Sequence, residues 1–104
     1  MQRLYQMAEG TSKRFPEGNE PFQMVARLLE ECGEVASEVN NWENSGIKRQ
    51  KYGEPDKKKL ANEIRQSMVA LTQIVIYYAV QKELDTSIDE SISRMISEGL
   101  LHAG

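Results

Sequence analysis

The sequence predicts an all-α fold of four helices in a single domain that covers residues 1–104. Apolar residues recur at the helical period in two long segments, and Gly and Pro cluster in the short stretches between segments. No stretch alternates polar and apolar residues as a strand does. A chain of 104 residues is long enough for one such domain to bury a core.

The first helix is predicted at about residues 2–14, and the second begins at Pro21, because proline is favoured in the first turn of a helix. Gly33 inside the second helix costs about 1 kcal/mol relative to alanine, which predicts a close approach by another helix there. Cys32 is interpreted as a small core residue rather than a nucleophile. The apolar positions of the second helix are Phe22, Val25, Leu28, Leu29, Cys32, Val35, Ala36, Val39 and Trp42.

The third helix is predicted at about residues 57–83, after a loop at residues 44–56 that contains Gly and Pro. No charged residue occurs from Gln66 through Gln81, so this helix must be covered on more than one side. We therefore expect self-association, as a homodimer or a homotetramer. Its main apolar stripe is Leu60, Ile64, Met68, Leu71, Val75 and Tyr78.

The fourth helix is predicted to begin near Ser87, where Ser87-Ile88-Asp89-Glu90 matches a capping box, and to end near Gly99. The longest apolar stretch, residues 68–80, is shorter than the ~20 residues that span a bilayer, so no membrane association is expected.

Charge and cysteine content limit the classes of function. The net charge is −3 and the pI is near 5.2, which gives no basic surface for nucleic acid. A single cysteine cannot form an internal disulfide, so the fold does not need an oxidising compartment and a cytoplasmic location is expected.

Acidic residues on the second helix are the most informative feature. Glu31, Glu34 and Glu38 fall in one narrow sector of the helix, where like charges repel by a few tenths of a kcal/mol per pair. A divalent cation would neutralise them, and Mg²⁺ prefers such oxygen ligands. If the third helix packs antiparallel, Glu63 and Gln66 could reach the same ions. The alternative is a solvated glutamate-rich face.

The string Leu28-Leu29-Glu30-Glu31-Cys32-Gly33-Glu34-Val35-Ala36 resembles the E-E-x-x-E signature of the MazG-like, all-α nucleoside triphosphate pyrophosphohydrolases. The family's second signature, E-x-x-D, would begin at Glu63, with 28 residues between it and Glu34. The resemblance extends from about Phe15 to Leu101. It implies a four-helix, oligomeric fold and a nucleoside triphosphate substrate, hydrolysed to a nucleoside monophosphate and pyrophosphate.

Carried over position by position, the resemblance makes Glu31, Glu34 and Glu63 ligands of Mg²⁺, or of Mn²⁺ in its place. It gives Glu30 the role of orienting or deprotonating the attacking water. Gln66 stands where the family has aspartate; its carbonyl oxygen can bind a cation but brings no charge. Two alternatives therefore stay open: a catalytically weakened homologue that binds nucleotide, and a plain helical interaction module.

Basic and aromatic side chains are the candidates for binding the substrate. Lys48, Lys57 and Arg94 are candidates for the phosphates, with a solvated surface as the alternative for each. Trp42 is the candidate for stacking on the base, and Phe15, Tyr52 and Tyr77 offer further aromatic faces, although core packing is the competing interpretation for all four.

Overall fold

The computed structural model describes residues 1–43 and 56–104. These residues form four α-helices and no strand, which confirms the all-α prediction. The predicted loop, apart from Asp56, lies outside the described residues. The helices are α1 (Gln2–Arg14), α2 (Pro21–Trp42), α3 (Lys57–Tyr77) and α4 (Gln81–Ser97).

The connection from α1 to α2 is built by local backbone chemistry. Lys13 and Arg14 lie in the last turn of α1, where positive charge complements the helix dipole. At the start of α2, the backbone N–H of Glu20 donates to Gln23 Oε1 at 3.1 Å, which satisfies a donor that the helix leaves free. The predicted limits of both helices agree with the structure.

The prediction that the third helix continues to Glu83 is wrong. It ends at Tyr77, because Ala79 has a positive φ of 54°, which no α-helix can continue through. The backbone N–H groups of Ala79 and Val80 donate to the carbonyls of Ile76 and Val75, both at 3.1 Å, in the Schellman pattern. These bonds satisfy carbonyls that a continuing helix would have used.

The start of the last helix is also earlier than predicted. α4 begins at Gln81 rather than near Ser87, because the chain re-enters a helix directly after the turn. Its predicted end is confirmed: Gly99 has a φ of 79°, and its N–H donates to Ile96 O at 3.0 Å. Glycine meets no Cβ penalty in this left-handed conformation.

The chain divides into two compact units, residues 1–74 and residues 75–104. In the first unit, α2 and α3 run antiparallel, as the sequence analysis required. Near the end of α2, Glu38 Oε1 lies 3.1 Å from Lys59 Nζ in the first turns of α3. Near the start of α2, Arg27 Nη1 donates to Gln73 Oε1 at 2.9 Å. The single-domain prediction stays a prediction.

The inward face of α2 carries buried polar residues beside apolar ones. Met24 is buried, but so are Glu38, with 4% of its surface exposed, and Asn41, with 1%. The solvated-face interpretation of the acidic residues is therefore wrong for Glu38, and Glu31 is half-buried. The buried apolar residues of the described chain are small in total volume: Ala8, Met24, Val69 and Ala70.

The predicted apolar stripe of α2 faces outward instead. Phe22 is 90% exposed and Leu29 67%, and Cys32, expected in the core, is exposed as well. No described residue approaches Gly33 closely, since an added Cβ would meet no described atom within 4 Å. We call the exposed, regularly spaced positions the α2 stripe; they are Phe22, Val25, Leu29, Cys32, Ala36 and Val39.

The same is true of α3 and α4. On α3, Ile64, Met68 and Leu71 are between 41% and 52% exposed, although they were predicted to form its buried stripe. In the second unit, α4 buries none of its residues. No helix in residues 1–43 and 56–104 is both long and apolar enough to cross a membrane.

Candidate metal and nucleotide site

Glu31, in the middle of α2, is the centre of the candidate site. Its Oε2 atom is buried and has no hydrogen-bond partner among the described residues. Burial raises the pKa of the Glu31 carboxyl, and the nearby charges of Glu63, Glu34 and Glu30 raise it further. Arg27, one turn earlier on α2, lowers it in part. Carboxylates from two helices therefore act on one position.

The antiparallel register explains why these residues meet. Starting from the Glu38–Lys59 ion pair, one turn back along α2 and one turn forward along α3 brings Glu34 opposite Glu63. The next turn brings Glu31 to the level of Gln66, and these two side chains line the same cavity. The four positions predicted for metal binding thus fall on two successive turns of the α2–α3 pair, which we call the carboxylate layer.

The donor chemistry of this layer fits a hard divalent cation. All four side chains offer oxygen atoms, and the buried, unpaired Glu31 Oε2 is an acceptor that a cation would satisfy. In the described part of the chain, however, no three His, Cys, Asp or Glu side chains converge closely enough to hold a metal ion. Glu34 and Gln66 are exposed. Magnesium binding therefore stays a prediction.

Glu30 lies beside Glu31 on α2 and is exposed. Its charge contributes to the raised pKa of Glu31, which places it close to the carboxylate layer. It is accessible to water, as its predicted role requires, and that role stays a prediction.

A cavity of about 630 Å³ opens beside Glu31 between α1, α2 and α3, entirely within the first unit. This volume lies within the roughly 300–1,000 Å³ typical of small-molecule sites. One part of the wall is apolar, and the rest carries three arginines beside two carboxylates and several neutral polar groups. The lining residues are Met7, Thr11, Arg14, Phe15, Glu17, Arg27, Glu31, Arg65, Gln66, Val69, Ala70 and Gln73.

A hydrogen-bonded chain fixes one side of this cavity. Arg27 donates to the Gly18 carbonyl at 2.6 Å and to Gln73 Oε1 at 2.9 Å, and Gln73 Nε2 donates to Ser12 Oγ at 3.0 Å. Gly18 has a φ of 81°, and a Cβ there would lie 3.3 Å from Arg27 Nη2. The chain links all three helices and the α1–α2 connection, and because Gln73 is 95% buried it acts as a fixed anchor.

The predicted substrate-binding residues that the structure describes lie elsewhere. Lys48 is outside the described residues. Lys57 is exposed in the first turn of α3, and Trp42 is the last residue of α2 and 38% exposed; neither lines the cavity. Arg94 lies on α4 in the second unit, where its carbonyl accepts a hydrogen bond from Ser97 Oγ. Of the aromatic alternatives, Phe15 does line the cavity.

The three cavity arginines are not among the site residues predicted from the sequence. Two of them carry a signal in the sequence: Arg27 precedes Glu31 by one helical turn, and Arg65 lies between Glu63 and Gln66. Arg14 has no such signal, because its position depends on how α1 packs.

Comparison of the chain with protein families, with curated proteins and with solved structures finds no match.

Proposed function

We propose that this chain is a MazG-like, Mg²⁺-dependent nucleoside triphosphate pyrophosphohydrolase that acts on the cytoplasmic nucleotide pool. The observation that carries the proposal is the buried, unpaired Glu31 carboxylate oxygen, surrounded by the charges of Glu63, Glu34 and Glu30 on the wall of a nucleotide-sized cavity. Burying a carboxylate among like charges is unfavourable without a compensating partner. A bound cation supplies that compensation.

In this proposal each side chain has a defined task. Glu31, Glu34 and Glu63 hold the cation through carboxylate oxygens, and Gln66 adds a neutral carbonyl oxygen. When bound, Mg²⁺ lowers the pKa of a water and offsets charge on the departing pyrophosphate. Glu30 accepts a proton from the attacking water while the water oxygen bonds to the α-phosphorus. The bond between the α-phosphorus and the oxygen that bridges to the β-phosphorus breaks, and pyrophosphate leaves.

Gln66 favours a second candidate function, a nucleotide-binding protein with little or no turnover. It lies on the cavity wall beside Glu31, where the family signature has an aspartate. A site with one carboxylate fewer binds Mg²⁺ less tightly, and a second ion could be lost with it. This candidate predicts nucleotide binding without pyrophosphate release.

We further propose that two copies pair through the α2 stripe, with a pair of such dimers as the alternative assembly. The stripe positions follow intervals of three and four residues from Phe22 to Val39, the spacing that paired helices bury. All six positions are exposed in the single chain. A second copy of the same chain offers the matching apolar surface without any other partner.

The first experiment measures pyrophosphate release from a panel of ribo- and deoxyribonucleoside triphosphates with Mg²⁺, Mn²⁺ or EDTA. The variants are Glu34→Gln and Gln66→Asp, and Glu9→Gln on the exposed surface of α1 is the matched control. We expect metal-dependent release that Glu34→Gln abolishes and Glu9→Gln leaves unchanged. Release by Gln66→Asp alone would favour the nucleotide-binding candidate.

If neither the wild type nor Gln66→Asp releases pyrophosphate, and Mg²⁺ changes the melting temperature of neither, both candidate functions are rejected in favour of a helical interaction module. The thermal measurement is included because a cation that binds only the folded state raises its stability whether or not turnover occurs.

A further inference from the structure

The cavity contains two arginines whose guanidinium groups have no partner among the described residues. Arg14, in the last turn of α1, and Arg65, on α3, both line it. Neither guanidinium group forms a hydrogen bond or ion pair with any residue that the structure describes. Arg27 differs, because its two hydrogen bonds hold the cavity wall together. Arg14 and Arg65 therefore retain their full donor capacity for a ligand.

The charges of the cavity select the chemical class of that ligand. Three arginines and two glutamates line it, a formal balance of 3 − 2 = +1. An anionic ligand gains from the arginines but is repelled by Glu31 unless a cation lies between them. A polyphosphate meets both conditions, because its oxygens bind guanidinium groups in the fork geometry of arginine and also bind divalent cations.

The apolar part of the same cavity suits a flat, weakly polar group. Phe15 follows the end of α1 and is 58% exposed, and Met7 is 40% exposed. Val69 and Ala70 close this part from α3 and are buried. An aromatic face next to soft apolar side chains is the surface on which a nucleobase stacks.

We infer that Arg14 and Arg65 bind the polyphosphate of a nucleotide and that Phe15 contacts its base. This inference rests on the proposed function for the identity of the substrate, and among the described residues it replaces Lys57 and Trp42 as the main substrate contacts. It assigns α1 a role in recognition, because both Arg14 and Phe15 lie at the end of that helix.

The test measures equilibrium binding by calorimetry, so that it does not depend on turnover. The ligands are inorganic tripolyphosphate, a nucleoside and a non-hydrolysable nucleoside triphosphate analogue, each with and without Mg²⁺. The variants are Arg14→Gln, Arg65→Gln, Arg65→Lys and Phe15→Ala. Lys13→Gln is the matched control, because it removes one positive charge beside Arg14 from a residue that does not line the cavity.

We expect Arg14→Gln and Arg65→Gln each to weaken tripolyphosphate and analogue binding by about tenfold or more, the loss of a charge-assisted hydrogen bond. Arg65→Lys should recover only part of the affinity, because lysine lacks the planar fork. Phe15→Ala should weaken binding of the nucleoside and of the analogue but leave the affinity for tripolyphosphate unchanged. Lys13→Gln should match the wild type throughout.

Two results would overturn the inference: wild-type protein that binds no tripolyphosphate, or arginine variants that are folded by circular dichroism and bind like Lys13→Gln. The two proposals fail separately. Pyrophosphate release that persists with unchanged affinity in both arginine variants would leave the enzyme standing and remove this phosphate site. Arginine-dependent tripolyphosphate binding without any release would keep the phosphate site and remove the enzyme.

Discussion

Replacing Leu29 by glutamate should separate the two copies of the chain. Leu29 lies near the middle of the α2 stripe and is 67% exposed in the single chain, although leucine is among the residues most often buried. If the stripe is the contact between copies, a charge at this position must be removed from water without a partner. The stability of the single folded chain should change little, since Leu29 is not part of its core.

The size of the effect follows from the exposed fraction. Fully burying a leucine side chain contributes about 1.5–3 kcal/mol, so two thirds of it contributes about 1–2 kcal/mol. A two-fold interface contains the residue twice, which gives about 2–4 kcal/mol for the dimer. At about 1.4 kcal/mol per factor of ten, the dissociation constant should rise about 30- to 700-fold.

Sedimentation velocity over a range of protein concentrations measures this constant. Gln23→Glu is the matched control, because it adds the same charge to α2 outside the stripe and keeps an acceptor for the Glu20 backbone N–H. Labelling of the Cys32 thiol gives an independent measurement, since Cys32 is exposed in one chain and should be protected in the dimer. A Leu29→Glu protein that assembles like Gln23→Glu, or a wild type that is monomeric throughout, would refute the argument.

Three further predictions concern stability. Ala79→Gly should raise the free energy of unfolding, measured in urea titrations, by about 0.5–1 kcal/mol. Ala79 has a φ of 54°, which glycine adopts without strain, and the greater freedom of glycine in the unfolded chain offsets part of this gain. Without metal, the raised pKa of Glu31 makes wild-type stability fall as pH rises from 4.5 through that pKa, and Glu31→Gln should remove this fall in urea titrations at successive pH values. Lys59→Met should lower the melting temperature more than Glu38→Gln does, with a loss of about 2–4 kcal/mol in the free energy of unfolding, because it leaves the buried Glu38 side chain without this cation, 3.1 Å away in the wild type; equal losses would contradict this.

The sequence predicts α1, α2 and the end of α4 well because each has a physical signal at its limits. Pro21 starts α2, and Gly99 ends α4 in the left-handed conformation that glycine allows. The break after Tyr77 has no such signal, since the left-handed residue is Ala79. The capping-box pattern at Ser87 then misleads, because here Ser87 and Glu90 lie inside α4 and not at its start.

Some residues of the candidate site follow from local sequence patterns, and others depend on how the helices pack. Helical geometry alone places Glu31 and Glu34 on one face, and the antiparallel pairing that brings Glu63 near them needs only a hairpin. Arg14 could not be found, because its place in the cavity depends on the packing of α1, which no local pattern encodes. Lys57 and Trp42 were selected for residue type and lie outside that cavity.

The direction in which α2 faces is the main point that the sequence left open. An amphipathic helix normally turns its apolar face inward, yet here Glu38 and Asn41 are buried while Phe22 and Leu29 are exposed. Periodicity identifies two faces but does not say which is covered by the same chain and which by another molecule. A helix that serves a polar site on one side and a subunit contact on the other gives the same pattern as an ordinary surface helix.

Each of the two proposals, the dimer and the cation site, would add a source of stability to the folded chain. The buried apolar residues of the described chain amount to two alanines, one valine and one methionine, which is little for a domain of this length. A second copy would cover the α2 stripe, and a cation with its nucleotide would neutralise the carboxylates around Glu31. Because each would bind only the folded chain, each should raise the melting temperature as its own concentration rises. If both proposals hold, a monomeric Leu29→Glu protein should melt lower than the wild type and still gain stability from Mg²⁺ and nucleotide.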